Sequence, residues 1–465
     1  MSQQSLIDNY YTQNREGHLE ELKSFLRIPS ISSLSEHKND MQKGAEWLAE
    51  SLQKAGLENI KIDPTKGHPV VYADWLHAEN KPTILVYGHY DVQPVDPLNL
   101  WDSEPFEPEV RDNKLYARGA SDDKGQVFMH VKAVEALLQT QGTLPVNVKF
   151  LIEGEEEVGS PNLEEYIENN KESLSADVIV ISDTGMQGPG QPAVCYGLRG
   201  LCGIQIDVKG AKSDLHSGLY GGGVQNSIHA LVSILDSFRD AEGTIEVDGF
   251  YENVRPLLEE EREAYKALGF DEEALKEELQ VKELFGEEGY SHLERVWARP
   301  TLEINGIYGG FSGEGIKTVL PNEAAAKITC RLVPDQDPDE IVAKLKAHIE
   351  KHKPVGVEVT VTEFDKGKPF ITPFDHPAIQ AAGRSYEKVY HVPTAYTRGG
   401  GSIPIVAAFD EILGLPVVLM GFGLSTENFH APNEHFHLEN FDQGLRVISD
   451  YYFELAEISR EELKK

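Results

Sequence analysis

The chain has 465 residues, 40% of them apolar and 26% charged, with 18 Tyr and 18 Phe. That is the composition of an ordinary folded protein, which excludes global disorder, and the length exceeds what one compact core organises, so two or more domains are expected. The formal charge of −34, from 77 acidic against 43 basic residues, repels polyanions and argues against nucleic acid or an anionic membrane as partner.

The first residues, MSQQSLIDNYYTQNREG, have neither a basic start nor an apolar segment, so no signal peptide is expected. Apolar runs such as Val178–Ile181 and Leu415–Met420 are too short to span a bilayer. A cytoplasmic protein is expected. Cys195, Cys202 and Cys330 form no CxxC pair and read as small buried hydrophobes rather than a disulfide framework.

In chain order, residues 16–28 and 42–56 have helical periodicity, with Ala45, Leu48, Leu52 and Ala55 on one face. Strand candidates follow at Pro69–Trp75, Pro82–Tyr87, Val146–Ile152 and Asp177–Ile181. Between the second and third lies a helix presenting Val127, Val131, Val134 and Leu138. Strands alternating with helices predict an α/β domain on a mostly parallel sheet with helices on both faces.

Near residue 199 the texture changes. Ile204–Lys209, Ala326–Thr329 and Val357–Val361 alternate as half-exposed strands do, and amphipathic helices are expected at 225–240 and 337–352. This predicts an α+β module with one sheet face covered by helices. Within it, 246–300 is a polar, acidic insertion expected to form surface helices. After about residue 375 helix and buried strand return, with a strong strand at Leu415–Met420. The expected architecture is a catalytic α/β domain built from 1–198 and 375–465, interrupted by an inserted module at 199–374.

Polar residues gather where the α/β strands end. Pro82–Tyr87 runs into Gly88-His89-Tyr90-Asp91, Asp122 and Asp123 open the next helix, the run Glu155-Glu156-Glu157 closes the third strand, and Ser182-Asp183 closes the fourth. Carboxyl ends of parallel strands share one edge of the sheet, where the sites of open α/β folds lie. Each segment alone has an ordinary explanation: an Asp N-cap, a loop His, a solvated strand end. Together they would be costly as bare like charges, and divalent metal removes that cost. His430, after the last apolar strand, supplies a second imidazole; His435 and His437 read as surface residues.

The segments GHYDVQP, ARGASDDKG, EGEEEVGS, ISD, DLHSG, TRGGGSIP and HAPNEHF, in this order from residue 88 to 436, resemble those of the co-catalytic di-metal peptidase family. That family includes cytosolic nonspecific dipeptidase, carnosinase, aminoacylase and succinyl-diaminopimelate desuccinylase, and the likeness is strongest to the dipeptidase branch. The resemblance implies that His89, Asp122 and Asp183 hold one ion and Asp122, Glu157 and His430 another, with Asp122 bridging. Such donors suit Zn²⁺, with Mn²⁺ or Co²⁺ as substitutes, and two ions about 3.5–4 Å apart activate a shared water. By the same resemblance Asp91 orients the His89 ring, and Glu156 is the general base. Glu155 has no assigned role and reads as exposed charge.

The resemblance also implies that His216 reaches the active site of a partner subunit in a homodimer and donates to the oxyanion. It gives Arg331 the substrate carboxylate, a bidentate task suited to guanidinium, with Thr318, Asn226, Ser402 and the backbone at Gly401 as further contacts. Gly221-Gly222-Gly223 is not a phosphate loop, since no Lys-Ser/Thr pair follows. No G-x-S-x-G elbow supports a serine hydrolase. One departure stands out: Gly399 occupies a place where dipeptidases of this branch commonly carry Glu. The function expected is therefore hydrolysis of unblocked dipeptides. The alternatives are an N-acyl-amino-acid deacylase or carboxypeptidase of the same fold, which Gly399 favours, and a non-catalytic metal-binding protein.

Overall fold

The structure, a computed structural model, describes residues 3–399 and 403–464. The chain divides into two compact units: residues 1–196, 372–397 and 404–465 form the first, and 197–371 with 398–403 the second. Among the described residues no helix is long and apolar enough to cross a membrane.

The first unit is built on the strands β1 (Glu58–Asp63), β2 (Val70–Trp75), β3 (Thr83–His89), β4 (Asn147–Glu153), β5 (Val178–Ile181), β6 (Ala193–Leu198) and β7 (Val417–Leu419). They lie in the order β1-β2-β4-β3-β5-β7-β6. The centre of the sheet, β4-β3-β5-β7, is parallel, as the buried apolar runs predict. The flanks differ: β2 pairs antiparallel with both β1 and β4, and β7 meets β6 antiparallel. The run Val70–Trp75 is buried throughout, so its composition matches that of a parallel strand and periodicity alone does not reveal its direction.

Around the sheet lie α1 (Gln3–Leu26), α2 (Lys38–Ala55), α3 (Lys124–Gln141), α4 (Pro377–Tyr390) and α5 (Leu438–Ala456). The first helix begins well before the periodic stretch at 16–28, because its N-terminal half also buries Ile7 and Tyr11. Helix α3 is buried nearly all round, including Lys124, His130 and Lys132, since it packs against α1, α2, α5 and β3 at once.

The second unit has a four-stranded antiparallel sheet in the order 301–309, 323–332, 200–209, 358–367. Alternate residues Cys202, Ile204, Ile206 and Val208 join Ala324, Ala326, Ile328 and Cys330, and helices Ser227–Asp236 and Pro338–His352 cover them with Leu231, Ile234, Ile341 and Leu345. The cysteines are all buried, and none is in a disulfide.

The acidic insertion forms helices Glu259–Ala267, Glu272–Leu279 and His292–Ala298. It is not wholly a solvated surface element. Val247 and Phe250 enter the core of this unit, Tyr265 is buried, and Glu261 is buried in an ion pair with Arg398. The sequence hides this because the partners of these few buried residues lie far away in the chain.

Candidate metal centre

The parallel centre of the sheet brings the carboxyl ends of β3, β4, β5 and β7 to one edge. His89 is the last residue of β3. Its backbone N–H donates to Asp123 Oδ2 at 3.2 Å, a close approach that Gly88 permits: a Cβ there would lie 2.4 Å from Val127 Cγ2 and 2.6 Å from Asp123 Oδ2. The His89 ring is fully buried, with Nδ1 3.0 Å from the Asp91 carbonyl and 3.3 Å from Asp91 Oδ1. Those acceptors fix the proton on Nδ1 and turn Nε2 toward Asp122 Oδ1 at 3.2 Å and Asp183 Oδ2 at 3.8 Å.

Asp122 faces two ways. Its Oδ1 looks to His89, and its Oδ2 lies 3.0 Å from His430 Nε2, which is itself 3.2 Å from Glu157 Oε2. The result is two triads, His89-Asp122-Asp183 and Asp122-Glu157-His430, sharing Asp122; within each, the potential ligand atoms lie within 4.8 Å of one another.

Neighbouring residues of a strand point to opposite faces, so Glu156 and Glu157 need a bend to converge. A 3₁₀ turn over Glu156–Val158 provides it directly after β4. Asp91 holds the turn: its Oδ1 accepts from the Glu156 N–H at 3.2 Å and its Oδ2 from the Glu157 N–H at 3.1 Å. Glu156 Oε2 is then 4.0 Å from His89 Nε2. Asp91 thus orients an imidazole and a backbone turn with one carboxylate.

The expected roles of Glu155 and His435 need correction. Glu155 is buried, accepting from Asn162 Nδ2 at 2.9 and 3.1 Å; it anchors the loop instead of facing water. His435 is buried against Tyr116, with ring centroids 4.8 Å apart, because residues 435–437 pair with 114–116 in a small sheet. His437 is half-buried and bonds Glu427 through Nδ1 at 2.6 Å.

Sequence reasoning also passed over supporting residues. Gln93 Nε2 donates to Glu157 Oε2 at 2.7 Å, a contact that its place in GHYDVQP hints at. His130 Nε2 meets Ser182 Oγ at 2.7 Å beside Asp183. Glu434 accepts from the backbone N–H of Asp122.

The electrostatics ask for positive charge. Burial pushes the Glu156 carboxyl up to about 7, with Glu157 and Asp122 adding to the rise and His89 opposing it. Burial, with Asp122 and Asp123 nearby, raises Asp183 well above the carboxylate range. Burial alone would raise Asp122 too, but His430 and His89 hold it low, and Asp122 and Glu157 lift His430 to about 10. His89 Nε2 is buried with no hydrogen-bond partner. A buried lone-pair atom facing carboxylate oxygens fits a divalent cation, and N/O donor sets of this kind suit Zn²⁺, Mn²⁺ or Co²⁺.

The remaining candidates belong to the second unit. His216 is exposed, and its Nδ1 accepts from the Gly218 N–H at 3.0 Å, which leaves the ring proton on Nε2. Thr318 is its neighbour: Ser217 N–H donates to the Thr318 carbonyl at 3.1 Å. Asn226 caps helix Ser227–Asp236, its Oδ1 accepting from the N–H groups of Ile228 and His229. Arg331 is half-buried on strand 323–332, opposite Thr301. Burial and the charge of Arg331 together bring Arg199 down to about 10. Gly401 and Ser402 lie outside the described residues.

An α/β sheet edge at which two histidines, two aspartates and a glutamate converge in two triads that could hold metal, with a second glutamate beside them, is the arrangement of a metal-dependent hydrolase. The profile of Peptidase family M20/M25/M40 matches residues 85–454, and the chain belongs to that family. It is 32% identical to human Beta-Ala-His dipeptidase over 469 aligned positions, covering 97% of this chain and 92% of the relative. It is likewise 32% identical to the Cys-Gly metallodipeptidase DUG1 of Saccharomyces cerevisiae, covering 92% and 93%. Among solved structures, the M20 family metallo-carboxypeptidase Sso-CP2 of Sulfolobus solfataricus superposes with a TM-score of 0.79 at 35% identity, covering 95% of this chain and 99% of that one.

Asp91→Asn tests the double role of Asp91. The amide cannot accept from both N–H groups, so metal affinity and kcat/KM should each fall by about 10–100-fold while the fold persists; calorimetric metal titration and steady-state kinetics measure both.

Proposed function

We propose that this protein hydrolyses unblocked dipeptides, using two divalent cations, Zn²⁺ by preference, held by His89, Asp122 and Asp183 and by Asp122, Glu157 and His430. The observation that carries this reading is the pair of triads sharing Asp122, with Glu156 beside them. When bound, two such ions supply the Lewis acidity that activates water near neutral pH and polarises a carbonyl.

The protein's own groups do the rest. Glu156 takes a proton from the attacking water at Oε2 and returns it to the departing amine nitrogen, a task suited to a carboxylate whose Oε2 lies 4.0 Å from His89 Nε2, beside both triads. Asp91 keeps Glu156 aimed by holding the N–H of its turn. His216, whose ring proton sits on Nε2, is a ready donor to the oxyanion. Arg331 clamps the substrate carboxylate, and the mutual repulsion of Arg331 and Arg199 supports an anion there. Thr318, Gly401 and Ser402 are further contacts. Asn226 contributes only its amide NH₂, because its oxygen is committed to the helix cap.

The second unit serves as lid and dimerisation module, with His216 acting in the partner's site. Strand 301–309 is the edge of its sheet and exposes Ile304, Ile307 and Tyr308, the kind of edge that pairs with a second copy. Three cysteines outside any disulfide support a reducing compartment such as the cytoplasm.

Carboxypeptidase or N-acyl-amino-acid deacylase activity is the second reading. Gly399, which offers no carboxylate to a substrate amine, and the likeness to the Sulfolobus carboxypeptidase favour it.

A panel of free dipeptides, their N-acetylated forms and longer peptides, assayed with chelator and with Zn²⁺ or Mn²⁺ restored, separates the readings. Metal-dependent cleavage confined to free dipeptides is expected; preference for blocked or longer substrates moves the enzyme to the second reading. Glu156→Gln should retain metal and lose about 10²–10⁴-fold in kcat, and near-normal turnover would remove the base. By light scattering the wild type should show twice the 51.7 kDa chain mass, and Ile307→Glu should yield monomer with little activity. A fully active wild-type monomer refutes the shared site.

A further inference from the structure

His430 is the least supported of the residues that converge on Asp122. Its side chain is 54% exposed, its φ of 57° is left-handed, and Asn428 and Asn433 on either side are left-handed too. Asn428 Nδ2 donates to the Pro432 and Asn433 carbonyls within the loop, and Asn433 ties its rim to Leu100 and Asp102; a pair of buried glutamates holds its two ends.

Glu434 is fully buried. Its Oε2 accepts from Arg118 Nη1 at 2.8 Å and the Gly119 N–H at 3.0 Å, and its Oε1 from the N–H groups of Ser121 and Asp122, both at 3.1 Å. Glu427 is also fully buried. Its Oε2 accepts from Ser121 Oγ at 2.6 Å and the Leu424 N–H at 2.9 Å, and its Oε1 bonds the His437 N–H at 2.9 Å and Nδ1 at 2.6 Å. The Glu427 carbonyl accepts from the His435 N–H at 3.1 Å, closing the loop on itself. Both carboxylates therefore reach from the His430 loop to the turn that presents Asp122, with two donors on every oxygen. Sites this densely satisfied are rigid, and the charge makes each bond stronger.

We propose that Glu427 and Glu434 are positioning residues, a clasp that locks the His430 loop to the Asp122 turn and sets the affinity for the cation held by Asp122, Glu157 and His430. This rests on the two-cation reading above. Neither glutamate touches that cation; each acts through the backbone and Ser121. Gln is a sharp probe, because either orientation of its amide at 427 sets an NH₂ against a backbone N–H, that of Leu424 or that of His437.

The test is calorimetric titration of the metal-free full-length chain with Zn²⁺, alongside its thermal unfolding. Wild type should bind two ions. Glu427→Gln should weaken one ion by about 10–100-fold and leave the other within about threefold, while placing Glu427→Gln in a His430→Ala background should leave the remaining ion within about threefold again. Ser121→Ala, which removes a single bond and is the gentler change should Glu427→Gln fail to fold, should weaken the same ion by about threefold to tenfold. Two ions bound with wild-type affinity by folded Glu427→Gln or Ser121→Ala, or both ions weakened equally, would overturn the clasp. A wild type that binds fewer than two ions overturns the reading beneath it and the clasp together.

Discussion

Carboxylates that face one another with little water between them repel, and an ionised carboxylate buried without a partner costs several kcal/mol. The first unit nevertheless gathers Asp91, Asp122, Asp123, Glu156, Glu157 and Asp183 around two imidazoles. Everything near the site answers that repulsion. Without metal, the surrounding carboxylates push His89 and His430 above the ordinary imidazole range, and burial pushes Asp183 and Glu156 above the carboxylate range. A pair of divalent cations relieves every one of these shifts at once, which is why the cluster reads as a metal centre and not as a set of unrelated polar residues.

The fold supplies the convergence. Parallel pairing of β4, β3, β5 and β7 aligns their carboxyl ends, so segments far apart in the chain meet at one edge of the sheet. Rigidity then comes from residues outside the two triads. Asp91 fixes the Glu156–Glu157 turn, Gln93 holds Glu157, and the two buried glutamates tie the last loop to Asp122. The second unit has its own sheet, helices and core.

Much of this was legible in the sequence wherever a local pattern carries the information. The buried runs gave β3, β4 and β5, the alternating runs gave the antiparallel sheet of the second unit, and polar residues directly after buried strands pointed to one sheet edge. What stayed hidden depends on partners distant in sequence. Glu155 looks like its two neighbours, and only Asn162 across the loop shows that it faces inward. His435 looks like a surface residue in a histidine-rich stretch until residues 114–116 pair with it. The direction of β2, buried on both faces, is invisible to periodicity. Glu427 and Glu434 pass for ordinary surface acids because the turn they hold lies in another third of the chain.

The central claim is that two cations occupy adjacent positions joined by Asp122. Anomalous diffraction from crystals grown with Zn²⁺ tests it most directly. The account predicts two peaks per chain, one among His89, Asp122 and Asp183 and one among Asp122, Glu157 and His430, about 3.5–4 Å apart. A single peak, or peaks that leave Asp122 uncoordinated, would contradict it.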